Sequence, residues 1–161
     1  MKNFAVYVLV ALGAVAYNLS TTADRDGSGA IIDAGSIDAF SLRVGDCFDD
    51  SAFSATVEAD EVQSLPGVPC SEPHDNEVYA VFNVDMQTFP SEEELSILAF
   101  DRCYDRFESF VGRDYENSQL DILTLYPTKE SWHQMNDREV VCALFDIDAN
   151  KLTGSAKGTG I

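Results

Sequence analysis

Apolar and polar positions divide the chain into three unlike stretches. The first runs from Asn3 to Ala23 without a charged side chain, and its Phe4 to Tyr17 block (FAVYVLVALGAVAY) is free of strongly polar groups. At ~1.5 Å per helical residue this block reaches about 21 Å, short of the ~30 Å hydrocarbon core, while the whole uncharged stretch just crosses it. Residues 1–23 are therefore expected to form an N-terminal membrane anchor or signal segment. Ala14-Val15-Ala16 offers small residues for cleavage, with only Lys2 as a positive flank. The uncleaved single-pass helix is the reading adopted, with secretion after cleavage as the alternative. Lys2 before the block and Asp24 and Asp26 after it put the following domain outside the cytoplasm.

The second stretch is polar, rich in Gly, Ser, Thr and Asp, and residues 24–39 are expected to be a linker. A domain is expected over 40–150, built from short apolar segments separated by turn residues. Phe40 to Val44, Phe53 to Val57, Glu77 to Val84, Leu120 to Tyr126 and Arg138 to Ile147 read as strands. Val78, Ala80, Phe82 and Val84 alternate on one face, and Tyr79 and Val81 make the other partly apolar, so the sheet is expected to be covered on both sides. After Pro90 the pattern changes period. Ser91 stands as a helix cap with Glu94 as its capping-box partner, and Leu95, Ala99, Cys103, Phe107 and Phe110 form one stripe ending at Gly112. A shorter helical turn is predicted over Lys129 to Met135, and residues 151–161 are expected to be a flexible tail.

Charge and cysteine narrow the picture. With 28 acidic against 10 basic residues and a formal charge of -18, the chain is unsuited to a phosphate backbone, so nucleic acid is excluded as a partner. Cys47, Cys70, Cys103 and Cys142 are even in number and follow an export-type segment, which fits disulfides in an oxidising compartment. Four cysteines allow three connectivities. The pairing adopted is Cys47 with Cys70, closing the loop after an early strand, and Cys103 with Cys142, tying the helix to the last strand. A metal site made from Cys47, Cys70, His74 and a carboxylate is the alternative, although no C-x-x-C pair supports it.

Four motifs around these cysteines resemble one family. Leu42 to Phe48 reads LRVGDCF, Val68 to Val78 reads VPCSEPHDNEV, Leu125 to Trp132 reads LYPTKESW and Asp137 to Cys142 reads DREVVC. In this order, over roughly residues 40–146, they are similar to the septum-formation domains of actinobacteria. The resemblance implies an extracytoplasmic domain behind a single membrane-spanning segment, associated with cell division or the cell envelope, without an established catalytic activity. Asn136 stands where the resemblance leads one to expect glycine, and asparagine accepts that left-handed turn better than most residues.

Several residues offer chemistry. Asp24, Asp26 and Ser28, followed by Gly29, match the first half of a calcium loop, but Gly35 stands where the twelfth position requires Glu, so a turn is the preferred reading. Asp146, Asp148 and Asn150 form a second, weaker oxygen cluster. His74, between Pro73 and Asp75, could serve as a base or ligand with Glu77, but a structural histidine in a turn is preferred. Trp132 is expected to cover the Cys103 bridge, His133 to lie on the surface, and Arg138 to pair with Asp137 or the helix carboxylates. Trp132, Tyr104, Phe107 and Phe110 could instead form a stacking surface for wall polymer, although the phenylalanines read as core.

Together these features predict an α+β fold: a small antiparallel sheet with one main packed helix and two disulfides, preceded by a membrane helix. The expected function is non-catalytic binding of envelope or division proteins, or of cell-wall polymer, without a cofactor. An extracytoplasmic enzyme or metal-dependent factor centred on His74, Asp75 and Glu77, and a calcium-dependent binding module, are the alternatives.

Overall fold

The computed structural model describes residues 22–49 and 63–161. Residues 1–21 of the expected N-terminal membrane segment (1–23) and the strand expected at Phe53 to Val57 lie outside the described residues, while Thr22 and Ala23, at the end of that segment, belong to the fold. Among those described, no helix is long and apolar enough to cross a membrane.

The fold is α+β and antiparallel. Strands β1 (Asp24–Arg25) and β2 (Ile31–Asp33) form a hairpin. The six-stranded sheet combines β3 (Gly35–Asp38), β4 (Cys47–Phe48), β5 (Ser64–Val68), β6 (Asn76–Asn83), β7 (Leu120–Leu125) and β8 (Glu139–Asp146) in the order β3-β5-β4-β6-β8-β7. The main helix α1 (Glu92–Val111) joins β6 to β7, and the short α2 (Lys129–Gln134) precedes β8. Because β8 pairs antiparallel with both β6 and β7, the last strand is inserted between two strands that run alike. The result is a split β-α-β unit.

Helix α1 starts and stops where its sequence dictates. Ser91 accepts from the Glu94 amide while the Glu94 carboxylate accepts from the Ser91 amide, and Gly112 ends the helix at φ 84°. The Ser91 amide, and then its hydroxyl, both donating to the carboxylate, hold the Glu94 carboxyl below its ordinary pKa. The stripe Leu95, Ala99, Cys103, Phe107 and Phe110 is buried against one face of the sheet, where Leu120, Ile122, Val140, Cys142 and Leu144 receive it. The other face carries a second cluster of Ile37, Phe48, Leu65, Val78, Val141 and Ala143, closed by Ala23, Ile31 and Leu42.

Three expectations are corrected. The stretch 24–39 is not a linker: it holds β1, β2 and β3, with Ile31 and Ile37 buried. Gly67 of β5 makes the room, since a Cβ there would sit 2.9 Å from Ile37 Cγ2 and 3.0 Å from Ile31 Cδ1. Phe40 to Val44 is not a strand but a 3-10 turn (Ala39–Ser41) and a second turn. Asp38 accepts from the Phe40 amide and Asp46 from the Arg43 amide, local bonds that compete with a ladder. Residues 151–161 are not a free tail. Gly158 and Gly160 donate to the carbonyls of Phe110 and Val111, Gly154 to Cys70, and the Ser118 hydroxyl to Ile161, while Ala156 is buried. The bonds from Gly158 and Gly160 satisfy carbonyls that the end of α1 leaves without intrahelical partners.

The alternation in β6 also breaks. A bulge between Val78 and Ala80 places Val78 with the second cluster, while Tyr79, Ala80, Phe82 and Val84 all join the first.

Candidate functional site

Cys47 is bonded to Cys70 and Cys103 to Cys142, with Cα separations of 5.2 and 5.5 Å, and no described cysteine is free. A Glu77 carboxylate oxygen lies within 4.8 Å of both sulfurs of the first bridge. The sulfurs bond each other, so they offer no thiolate to a metal. Glu77, fully buried, accepts from the Ser155 hydroxyl at 2.5 Å and the Ala156 amide at 2.7 Å. It fastens the C-terminal segment.

His74 is fully buried, with Nδ1 2.8 Å from the Glu72 carbonyl, and its backbone pairs in both directions with Leu152. Its Nε2 finds no protein partner among the described residues. Asp75 faces outward to Lys151 at 2.8 Å. The three residues of the candidate enzymatic site thus have separate tasks: His74 in the turn, Asp75 in a surface ion pair and Glu77 under the tail.

Asp26 and Asp146 are occupied as turn acceptors. Asp26 Oδ1 receives the Ser28 amide and hydroxyl and the Ala30 amide, and these bonds, the hydroxyl first, lower its pKa. Asp146 Oδ1 receives the Asp148 and Asn150 amides in the same way. Asp24 stands in β1, opposite Asp33. The neighbouring Arg25 makes an ion pair with buried Asp46 at 2.5 Å, which ties the hairpin to the sheet.

Trp132 is buried in the cluster that contains Cys103 and Cys142. Arg138 departs from expectation. Its guanidinium lies over the Trp132 ring at 3.6 Å and donates to the carbonyls of Trp132, Asp137 and Met86 instead of meeting a carboxylate. Stacking and carbonyls suit the planar fork. Phe107 and Phe110 are core, so of the four candidate stacking aromatics only Tyr104 is exposed, beside Phe100 and Tyr115 with ring centroids 6.4 and 5.4 Å away. His133 is exposed, as expected.

A concavity lies on the opposite side of β8 from Arg138. A groove of about 730 Å³ runs between the ends of β7 and β8, helix α2 and the turn at Asp38 to Phe40. Leu125, Val141, Phe40 and Met135 give it apolar surface, while Asp38, Glu130, Asp137 and Glu139 edge it with carboxylates. Among its described lining residues none is Lys, Arg or His. Strand alternation explains the sorting, because Arg138 and Glu139 are neighbours in the chain and point to opposite faces. Burial first, and then Asp137, raise the Glu139 carboxyl above its ordinary pKa. Asp137 itself is held by the Ser131 hydroxyl and the Glu139 amide, and α2 is fixed by the Thr128 and Ser131 capping box. Sequence reasoning missed this groove because its walls come from residues 38–40, 124–141 and Gln63, which no single motif joins.

The described residues thus form a disulfide-stapled α+β domain with an acidic groove beside α2. The family is shown by sequence: the septum formation model matches residues 44–160, and the chain belongs to that family. The match ends one residue short of Ile161, so it includes the segment docked on α1. No curated protein matches the chain, and no solved structure matches it.

Proposed function

We propose that the chain is a non-catalytic interaction module of the division septum, displayed outside the cytoplasm on a single N-terminal membrane helix, and that it binds envelope or division proteins. Family membership supports the division-related role. The observation that supports the binding role is the open groove beside α2, in contrast with buried His74 and Glu77 and the disulfide-bonded cysteines, which serve the structure. If residues 3–21 form the anchor, little chain separates it from the fold. Thr22 already bridges Ser36 and Ala23 is buried, which on this reading would set the domain close to the bilayer.

Imaging a fluorescent fusion compatible with export tests the location. Signal concentrated at septa is expected, and uniform envelope signal overturns the septal role. Membrane fractionation tests the anchor, which fails if salt alone releases a mature protein shortened at its N-terminus. For the enzymatic alternative, His74→Gln separates the cases: lost function with unchanged melting favours chemistry, whereas lost stability favours the structural role. A second binding reading, wall polymer, has its own observation in the exposed Phe100 and Tyr104 beside Tyr115, since sugar rings stack on such surfaces. Tyr104→Ala would weaken sedimentation with purified wall.

A further inference from the structure

The groove beside α2 combines an apolar floor with a one-signed rim. Val141 is 3% exposed and lies at the bottom with Leu125, whereas Met135, 59% exposed, offers its side chain to whatever enters. Glu130 and Glu139 stand on two walls, contributed by α2 and β8. Arg138, the cation nearest in sequence to Glu139, is engaged with Trp132 on the far side. A volume of about 730 Å³ falls in the range of ~300–1,000 Å³ typical of ligand clefts.

Charge selects the occupant. The chain's own segment 50–62 contains Asp50, Glu58, Asp60 and Glu61 and no Lys or Arg, so it would bring like charge to the rim. A second copy of the chain brings a net charge of -18. We infer that the groove binds a basic peptide segment of another protein, with Lys or Arg side chains against Glu130 and Glu139 and one apolar side chain against Leu125, Met135 and Val141. This inference rests on the interaction reading above and adds the chemistry of the partner. Opposed charges would steer the encounter, and the apolar contact would slow dissociation.

The test uses the full-length chain and three dye-labelled peptides of equal length, alternating lysine with leucine, lysine with serine, and glutamate with leucine, followed by fluorescence anisotropy. The lysine and leucine peptide is expected to bind at least about tenfold more tightly than either of the others. Glu130→Gln with Glu139→Gln should weaken it by about tenfold and flatten its salt dependence, with no loss of melting temperature. Met135→Ser should weaken the same peptide and leave the lysine and serine peptide as it was. Equal binding of both lysine peptides would reduce the effect to diffuse attraction and overturn the inference. Binding indifferent to the two Gln substitutions would place it elsewhere, and binding seen only after deletion of residues 51–61 would make that segment the occupant. The fusion experiment keeps the two readings apart. Septal signal without peptide binding removes the groove's proposed partner alone, and uniform signal with groove-dependent peptide binding removes the septal role alone.

Discussion

The two faces of the six-stranded sheet are closed in different ways. On one, a 20-residue helix lays a continuous stripe over β6, β7 and β8, and Cys103 bonds Cys142 inside the contact. On the other, cover comes from short pieces: the β1–β2 hairpin, β3 and a 3-10 turn, with Arg25 and Asp46 as a polar tie. The first face is closed over β6, β7 and β8. The second leaves Leu125 and Val141 at the floor of a groove. Where one long element covers the strands, their apolar face is closed. Where several short ones do, the gap between them becomes a site.

The strongest test of this contrast is truncation. Phe107 is fully buried and meets Tyr79 and Tyr115 edge-on, so Phe107→Ala should cost about 3–5 kcal/mol in urea unfolding. Leu125→Ala, at the half-covered groove, should cost less than about 2 kcal/mol. Equal losses would break the comparison. Next come the bridges. Replacing Cys103 and Cys142 by Ala, separated by 39 residues, should cost about 4 kcal/mol, and replacing Cys47 and Cys70, separated by 23, about 3.4 kcal/mol. The closeness of these values would show that the asymmetry lies in packing and not in cross-linking.

Much of the sealed face was legible in sequence. Ser91 and Glu94 announce the start of α1, Gly112 its end, and the spacing of Leu95, Ala99, Cys103, Phe107 and Phe110 its buried stripe. The other face was not legible, since β1 to β3 hold few apolar residues among many Gly, Ser and Asp. Ile31 and Ile37 become core through Gly67, more than 25 positions later in the chain, and no local pattern reports such a contact. Periodicity likewise misread β6, because one extra residue at the bulge turns Val78 away from Ala80. Of the candidate site, the chemistry of His74 and Glu77 was visible as residue types, but their burial was not. The glycines of the C-terminal segment suggested flexibility. Instead, Gly158 and Gly160, at φ 69° and 68°, serve to aim amides at the end of α1.

Smaller effects sharpen the contrast further. Glu77→Gln should cost about 1.5–3 kcal/mol by weakening two charge-assisted hydrogen bonds, with faster hydrogen exchange at Ala156 and Gly158 ahead of the rest of the domain. Uniform exchange would mean that the segment is not held through Glu77. At the groove the sign reverses. Because the folded Glu139 carboxyl has a raised pKa, the fold binds its proton more tightly than the unfolded chain does. Its contribution to stability therefore rises as pH falls from neutrality toward 4.5, and Glu139→Gln should stabilise at pH 7 by no more than about 0.5 kcal/mol. Glu94 titrates the other way. Its lowered pKa gives α1 a contribution present above 4.5 and lost as pH drops through the folded value, a dependence that Glu94→Gln should abolish in circular dichroism.

The place of β8 governs the order in which the domain can assemble. It is the last strand to leave a ribosome or a translocation pore, yet it sits between β6 and β7, which are joined in the sheet only through it. Cys47 can find Cys70 after less than half of the chain has emerged, whereas Cys103 must wait for Cys142. During delivery the nascent polypeptide is an open scaffold with one thiol awaiting its mate, and oxidation of that pair is the natural timestamp of a finished molecule.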